Sequence, residues 1–442
     1  MRTIAAFVLA QRMDSPLQRA QAMRLLTLAF VVACSSPAAT TTPDPVDAPP
    51  PIEPITDSAL PDVPIDPCAV PDADADGHAA IACGGDDCDD ASPAVYPGAI
   101  EGALVSAASL PSLPGYEGLD LDAKTDALGT THVAFNWSAS GGTQERLRYL
   151  KITAAGTVVD HHEVHADASP NSSRAGRGIS LAVDSQDRPH VTFYDQWNTG
   201  AVTFFHGVRG AGSWTLSSAD ADQDTAVAIG AGDVVHAVTT GLRYVTDLGG
   251  AFAATDLVEG YQPAIAVAPD GSIHVLFATT EGVRHATKTP SGWSIESVED
   301  FATTVNHPGV QAVFDTSGGL HAVYRAGNED LGYARKIGGV WSRELITTGA
   351  LVGPRSLIVL PDGRIGTVYI EWLPGQGNTL MLAFRGTGGW HVTDTVACGC
   401  YDAALVQRGE DIGVVFEAGG GLAFGKFQPP DGVDNDCDGT AW

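Results

Sequence analysis

A unit of about 47 residues recurs between residues 103 and 427, and it constrains the fold more than any other feature of the sequence. Its clearest mark is a short β-branched or aromatic run that opens with His, or with Gly in the last two copies. The marks begin at His132, His190, His236, His274, His321, Gly366 and Gly413. This period is the one expected when four strands form one blade of a propeller. The repeat therefore predicts an all-β fold, a seven-bladed β-propeller of four-stranded blades.

The second repeat shows how one blade is built. Its predicted strands are residues 179–184, 190–195, 201–206 and 214–217, with turn residues between them. The composition suits such a scheme, because 51 Gly and 27 Pro supply tight turns while charged residues make up only 17% of the chain.

Two residue types recur in most units, the strand-opening His in five and a Trp behind a Gly-containing turn in four. The Trp residues are Trp214, Trp293, Trp341 and Trp390. A residue that repeats in every blade usually serves packing or hydrogen bonding within the ring. We therefore interpret both sets as structural and not as a metal ring.

The seventh unit stops one strand short. It offers strands over residues 403–408, 413–418 and 422–427, and residues 104–109 are predicted to supply the missing outer strand. A shared blade removes the open sheet edges that would invite aggregation. An antiparallel pairing sets Phe427 near Leu104, so Glu101 and Asp431 are expected close to the same strand ends.

Acidic turns flank the repeat on both sides. Asp72, Asp74 and Asp76 alternate before Gly77, and Asp434, Asp436 and Asp438 alternate before Gly439. Calcium takes six to eight oxygen ligands, and a D-x-D-x-D-G turn directs successive carboxylates at one point. With further carboxylates from Asp87, Asp89 and Asp90, the pattern predicts a Ca²⁺ site. The alternatives are solvated linker acids and a zinc site with Cys88 and Cys437 as thiolate ligands.

These residues resemble a bacterial MopE-type metal-binding motif. The similarity rests on residues 87–90 (DCDD), residues 96–99 (YPGA) with Glu101, and residues 432–439 (GVDNDCDG). The family motif runs without interruption, whereas here the repeat is inserted after Glu101. Gly102 also stands where the family has Cys, so the resemblance does not settle the disulfide connectivity of Cys68, Cys83, Cys88 and Cys437.

The N-terminus resembles a bacterial lipoprotein signal peptide. An apolar run at residues 25–33 follows Arg24, and residues 31–34 (VVAC) match a lipobox. The resemblance implies cleavage before Cys34 and lipidation of its thiol, hence a membrane partner through a lipid anchor in the bacterial cell envelope, at the outer membrane or cell surface. An ordinary secretory signal is the alternative, and Met23 is a candidate start of translation.

The predicted organisation follows from these features. It comprises a signal peptide (1–33), a Pro- and Asp-rich linker (34–67), one half of the metal-binding motif (68–102), the propeller (103–428) and the other half of the motif (429–442). A formal net charge of −29 argues against nucleic acid as a partner.

We expect the propeller to bind an extracellular protein or a glycan. Trp137, Trp197 and Trp372 lie where a second strand turns into a third, on the face that carries the connections between blades. Aromatic residues on such turns stack on sugars or anchor proteins, although covering a hairpin is an equally ordinary role. The Cys398–Gly399–Cys400 segment falls on the same face and predicts a disulfide, within the pair or to another Cys, with copper or redox chemistry as the minority interpretation.

An enzymatic role is the rival hypothesis, a glycosidase or polysaccharide lyase acting in the channel. Arg177 and Arg355 precede inner strands and are expected to face the channel. The chain lacks the repeated Ser-x-Asp-x-Gly-x-Thr-Trp boxes of sialidase-like hydrolases, and no nucleophile–base pair stands out by its spacing. The sequence therefore favours binding without catalysis.

Overall fold

The computed structural model describes residues 72–73, 79–85, 103–110, 116–138, 145–166, 172–197, 201–219, 222–248, 252–301, 309–327, 330–349, 353–373, 377–386, 389–408 and 411–428. The chain divides into two compact units, Met1–Ile65 and Asp66–Trp442, and every described residue belongs to the second. The predicted signal peptide and Cys34 lie outside the described residues. No helix within the described ranges is both long and apolar enough to span a bilayer.

The described residues form seven antiparallel four-stranded sheets, which we number as blades in chain order. Blade 1 comprises β2 (Tyr116–Thr125), β3 (Thr131–Ser138), β4 (Glu145–Ile152) and β5 (Val158–Ala166). Blade 2 comprises β6 (Ser172–Val183), β7 (Pro189–Trp197), β8 (Val202–Arg209) and β9 (Trp214–Ala219). Blade 3 comprises β10 (Thr225–Ile229), β11 (Val235–Thr239), β12 (Arg243–Thr246) and β13 (Ala253–Asp256).

The remaining blades repeat the order. Blade 4 comprises β14 (Tyr261–Val267), β15 (Ile273–Thr279), β16 (Gly282–Thr289) and β17 (Gly292–Asp300). Blade 5 comprises β18 (Val310–Phe314), β19 (Leu320–Ala326), β20 (Asp330–Ile337) and β21 (Val340–Thr347). Blade 6 comprises β22 (Gly353–Val359), β23 (Ile365–Leu373), β24 (Gly377–Arg385) and β25 (Trp390–Ala397). Blade 7 comprises β26 (Ala403–Arg408), β27 (Asp411–Ala418), β28 (Gly421–Gln428) and, as its outer strand, β1 (Ala103–Ser109).

The ring closes as the sequence predicts. Strand β1 pairs antiparallel with β28, with Ala103 opposite Gln428 and Leu104 opposite Phe427. The inner strands of successive blades contact one another, and the inner strand of blade 7 contacts that of blade 1. The predicted all-β, seven-bladed propeller with an N-terminal closing strand is confirmed.

One inner strand differs from its predicted bounds. Strand β6 begins at Ser172, whereas the sequence pattern predicts a start near residue 179. Its pairing with β7 shifts register several times around Arg177, where Gly176 (φ 67°) and Gly178 (φ 58°) adopt left-handed conformations. These irregularities interrupt the alternation of side chains, so the first half of the strand has no periodic signal.

The hydrophobic core lies between the blades. One cluster joins Val133 and Phe135 of blade 1 to Val406 and Val415 of blade 7, and all four are almost fully buried. Each blade packs against a neighbour on both faces, so the middle strands are apolar on both faces rather than on alternate residues. This packing explains the continuous apolar runs that follow the His marks in the sequence.

The recurring His residues are buried hydrogen-bonding groups. Nε2 of His321 lies 2.9 Å from the Asp315 carboxylate, and Nδ1 lies 2.6 Å from the hydroxyl of Tyr333. Since a carboxylate only accepts, Nε2 carries the proton and Nδ1 accepts from the tyrosine. His132 repeats the arrangement with Asp126 and Tyr149. Burial lowers the pKa of His321 and His132, so both are neutral and the structural interpretation of these residues holds.

The recurring Trp residues join adjacent blades. Trp341 of blade 5 donates its indole N–H to Glu296 of blade 4 over 3.1 Å, and Lys336 pairs with the same carboxylate. Partial burial opposes ionisation of Glu296, but hydrogen bonds from Lys336, His285 and Trp341 lower its pKa to about 2. At the next interface the rings of Trp390 and Tyr333 meet edge to face at 5.0 Å. A Trp and an ion pair therefore link neighbouring blades at their outer strands.

Replacing Tyr333 by Phe tests the buried histidine arrangement. The change removes the hydroxyl donor and leaves Nδ1 of His321 buried without its partner, so the free energy of unfolding should fall by about 1–3 kcal/mol in urea titrations. The matched control is Tyr401→Phe, because the Tyr401 side chain is 56% exposed. The control should change stability by less than about 0.5 kcal/mol. Equal effects of the two changes would contradict the assigned role.

Candidate functional site

The first candidate site is the seam where the ring closes. Ala103 begins β1 and lies opposite Gln428, the last residue of β28. The two halves of the acidic motif are attached directly to these paired residues, one before Ala103 and one after Gln428. The fold therefore brings together the two points of the backbone from which the halves extend.

Most of the predicted metal ligands fall outside the described residues. Asp72 is described, whereas Asp74, Asp76, Asp87, Asp89, Asp90, Asp434, Asp436 and Asp438 are not. Cys68, Cys88 and Cys437 also lie outside the described ranges, as do Glu101 and Asp431. Within the described part of the chain there is no group of three or more His, Cys, Asp or Glu side chains arranged to hold a metal ion.

The short described segment of the motif is a single 3-10 turn. It spans Ile81–Cys83 and ends at Gly84, whose φ of 84° provides the left-handed C-cap. Cys83 is disulfide-bonded to a partner outside the described residues. A cysteine in a disulfide cannot serve as a thiolate ligand, so the motif has at least one fewer sulfur donor than its sequence offers.

The second candidate site is the central channel. The inner strands of all seven blades surround a cavity of about 940 Å³ along the ring axis. We call the end at which the chain enters each inner strand the channel mouth, lined by Asp120, Gly178, Asp224, Gln262, Gly309, Arg355 and Asp402. The hairpins between second and third strands lie on the same face. Several polar side chains therefore line this end of the channel.

Arg177, which the sequence predicts to face the channel, lies beside the mouth and is not one of the residues that line the cavity. Its guanidinium donates two hydrogen bonds to Glu145, of 2.9 and 2.6 Å, and one of 3.5 Å to Asp120. The backbone just before Arg177 is also fixed. Gly176 packs so closely that a Cβ atom there would lie 2.8 Å from Leu147, and its N–H donates a hydrogen bond to Asp195. Asn136 further donates to the carbonyl of Ala175 over 2.8 Å. Arg177 is thus preorganised by several elements.

Asp402 lies at the mouth where the inner strand of blade 7 meets that of blade 1. Its carboxylate accepts hydrogen bonds from the N–H groups of Leu121 (2.8 Å) and Ala403 (2.9 Å). Nε of Arg355 lies 3.9 Å from the same carboxylate. The prediction that Arg355 faces the channel is confirmed.

A disulfide fixes the segment that leads to Asp402. Cys398 and Cys400 are bonded to each other, with their Cα atoms 5.0 Å apart. The sequence leaves open whether these cysteines pair with each other or with another Cys, and the structure has the bond between the two. Asn378 donates to the carbonyl of Cys400 over 2.8 Å and secures the loop against blade 6.

The two aspartates titrate near neutrality. Burial raises the pKa of Asp402 to about 7 and that of Asp120 to about 6, and the nearby Arg355 opposes both shifts. The negative charge of Asp120 also raises the pKa of Asp402, and that of Asp224 raises the pKa of Asp120. Carboxylates of this kind exchange protons near pH 7 and respond to the charge of a ligand.

The three Trp residues expected on this face differ in exposure. Trp137 is partly buried against the core between blades 1 and 7, with the guanidinium of Arg146 5.5 Å from its ring centre. Trp372 is 49% exposed near the end of β23. Trp197 ends β7, and its side chain lies outside the described set. Trp372 therefore has the surface available for a ligand, whereas Trp137 serves packing.

Sequence reasoning missed Asp120, Asp402 and Glu145. A signal for the aspartates does exist, because Asp120, Asp224 and Asp402 each precede the mark of their repeat by eleven or twelve residues. Such a shared offset places them at the start of an inner strand. Glu145 has no comparable signal, because its contact with Arg177 crosses from one blade to the next.

A family model matches the flanking motif. Residues 87–103 and 425–441 match the copper-binding MopE-type model, described as a “Putative metal-binding motif”. The two matched segments reach into β1 and β28, the strands that pair at the seam. This protein therefore carries a split MopE-type metal-binding motif that flanks a seven-bladed propeller. No curated protein matches the chain.

Several solved structures share a similar arrangement of strands. A protein of unknown function from Dyadobacter fermentans is 12% identical, covers 74% of this chain and 99% of its own, and superposes with a TM-score of 0.46. AofleA from Arthrobotrys oligospora is 15% identical over 69% of this chain and 95% of its own, with a TM-score of 0.45. A leech intramolecular trans-sialidase is 11% identical over 73% and 70%, with a TM-score of 0.42. Likenesses this distant carry no conclusion about ligand or activity.

Replacing Asp120 by Asn tests the raised pKa at the mouth. A carboxyl whose folded pKa (about 6) exceeds its unfolded value (3.8) stabilises the fold at low pH, and that contribution is lost as the pH rises. The stability of Asp120→Asn relative to the parent should therefore increase by about 1–2 kcal/mol from about pH 4 to about pH 6.5 in urea unfolding. Asp256→Asn is the control, with a side chain 89% exposed. A flat pH profile of the difference would rule out the shift.

Proposed function

We propose that this protein is a lipid-anchored component of the bacterial cell envelope whose propeller binds an extracellular protein or glycan. In this proposal, calcium bound by the split motif secures the closed ring. One observation carries it, the pairing of Ala103 with Gln428, which brings together the attachment points of the two motif halves. The binding face is the one that holds the channel mouth and the exposed Trp372.

Calcium suits the donor chemistry of the motif. The nine predicted ligands are all aspartates, and hard oxygen donors favour calcium over copper or zinc. Sulfur and imidazole donors would favour the softer metals, but Cys83 is already in a disulfide. The name of the matching family model refers to copper, so the metal content of the purified protein decides between the two ions.

Removal of the metal should destabilise the ring. An ion that binds the closed ring better than the unfolded chain stabilises the folded state, by about 2.7 kcal/mol at a hundredfold excess over its dissociation constant. Excess chelator should therefore lower the melting temperature, and added calcium should restore it. Asp436→Ala should lower the melting temperature and abolish the response to chelator. Asp256→Ala, at an exposed carboxylate, should keep the melting temperature of the parent and its response to chelator. An unchanged melting curve in chelator would remove the case for a structural ion.

The ligand face combines an aromatic surface with a polar cavity. Trp372 offers a flat apolar surface that suits a sugar ring or a protein side chain. The neighbouring channel mouth supplies fixed hydrogen-bonding groups, Arg177 and Asp402 among them. Sites of this kind, an apolar surface with a few fixed polar groups, are typical of ligand pockets.

A hydrolase or lyase acting in the channel is the second candidate. It is favoured by one observation, the two carboxyl groups of Asp120 and Asp402 with pKa values raised towards neutrality. A carboxylic acid with such a pKa is suited to general acid catalysis.

A glycan array and a broad screen of glycosidase and lyase substrates separate the two functions. We expect glycan or protein binding with no turnover, and Trp372→Ala should weaken binding by about tenfold or more. Leu128→Ala is the control, because Leu128 is 76% exposed in the turn between β2 and β3, at the other end of the blade. Substrate turnover that is lost in Asp402→Asn would instead establish the enzyme.

The lipid anchor rests on the sequence. Cys34 follows an apolar run in a lipobox-like context, and a tether rich in Pro and Asp separates it from the motif. The mass of the mature N-terminus decides this point, because a lipidated protein begins at a modified Cys34. A mature protein with a free thiol there would refute the anchor.

A further inference from the structure

The channel mouth carries an unequal balance of charge. Among the described residues, the carboxylates of Asp120, Glu145, Asp224 and Asp402 accompany two guanidinium groups, those of Arg177 and Arg355. Glu145 engages Arg177 through two hydrogen bonds. Arg177 also donates a hydrogen bond of 3.5 Å to Asp120, whereas Arg355 has no hydrogen-bonded carboxylate among the described residues. The described part of the mouth therefore has two more carboxylates than guanidinium groups, and the guanidinium of Arg355 is the one that a ligand can engage.

Arg355 has an unused donor. Its Nε is buried and has no hydrogen-bond partner among the described residues. The nearest carboxylate oxygen, on Asp402, is 3.9 Å away, too far for a hydrogen bond. The side chain as a whole is 30% exposed and lines the cavity. A buried donor without an acceptor costs free energy, which an acceptor on a ligand would recover.

The mouth is also conformationally strained. Asp224 and Gln262 both have φ of 42°, a left-handed conformation that L residues other than glycine rarely adopt. Gly178 (φ 58°), inside β6, and Gly309 (φ 54°), directly before β18, take similar conformations. The strain is held in place, since the Gly309 N–H donates to the Gln262 side chain over 2.6 Å. Strain that neighbouring contacts maintain is typical of binding sites.

Beyond the mouth the lining of the channel is mixed. Apolar side chains such as Ile179, Val310 and Leu357 lie beside polar ones such as Asp122 and Gln311. A ligand whose charged groups stay at the mouth can therefore extend its remaining part into the channel.

We propose that the channel mouth binds a free α-amino acid. Its carboxylate accepts hydrogen bonds from Arg355, its ammonium group lies among Asp120, Asp224 and Asp402, and its side chain enters the channel. A purely anionic ligand would add to an existing excess of carboxylates, and a purely cationic one would leave Nε of Arg355 without an acceptor. A zwitterion satisfies both requirements. This inference goes beyond the proposed function and does not depend on it.

The charges around the mouth set the pH dependence. Asp120 on β2, Asp224 before β10 and Asp402 before β26 must be ionised to hold an ammonium group. Glu145 on β4, Arg177 on β6, Tyr194 on β7 and Arg355 on β22 are the other charged or titratable groups that face them. Because protonated aspartates lose the attraction, affinity should rise as the pH rises from about 5 to about 8.

Isothermal titration calorimetry of the intact protein with each of the proteinogenic L-amino acids tests the proposal. At least one of these amino acids should bind. The amine that lacks its carboxylate and the acid that lacks its ammonium group should each bind at least about tenfold more weakly. Arg355→Gln should abolish binding, and Arg355→Lys should weaken it because the donor fork is lost.

The control variant is Arg364→Gln. Arg364 lies in the turn between β22 and β23 and pairs with Asp362 over 2.7 Å, at the far end of the strand from the mouth. The Arg364→Gln variant should bind amino acids as the parent does, and melting curves check that every variant is folded. The proposal is overturned if no amino acid binds at about 10 mM, if the amine or the acid binds equally well, or if folded Arg355→Gln and Arg355→Lys bind like the parent. None of these outcomes bears on the chelator or glycan-array results.

Discussion

The antiparallel pairing of β1 with β28 is the contact on which the rest of this structure depends. Six of the seven described sheets consist of four strands that are consecutive in the chain, and the seventh takes its outer strand from the other end of the domain. Closing the ring therefore requires one pairing across more than three hundred residues. Its entropic cost grows only slowly with loop length, and the packing of seven blades offsets it. The same pairing fixes where the acidic segments leave the ring.

The blades are joined by two kinds of contact with different physics. Apolar residues fill the space between neighbouring sheets, because each sheet is covered on both faces. Further out, a Trp, an acidic side chain and a basic one link adjacent blades, as Trp341, Glu296 and Lys336 do. These polar contacts are directional, so they specify the angle between blades, whereas the apolar contacts supply most of the free energy of burial.

The charged groups at the channel mouth are less well paired than the polar groups between the blades. Buried His residues in the blades are neutral and have partners for their ring nitrogens, so they contribute to stability at neutral pH. Asp120 and Asp402, by contrast, are dehydrated carboxylates that guanidinium groups only partly balance. Ionising them opposes folding at neutral pH. This cost, concentrated in one cavity, distinguishes this end of the channel from the rest of the ring.

The sequence by itself determined the seven-bladed ring, the strand that closes it and the split motif at the seam. Strand periodicity, turn residues and the missing strand of the last unit are signals that can be recognised in the sequence alone. Only the tertiary structure decided the contents of the mouth. Glu145 meets Arg177 across a blade boundary, and Asp402 meets the backbone of Leu121 across a separation of 281 residues. It also decided that Trp137 packs while Trp372 remains exposed. These contacts depend on how the blades pack. They cannot be predicted from the sequence, because residues that are distant in sequence share no local pattern.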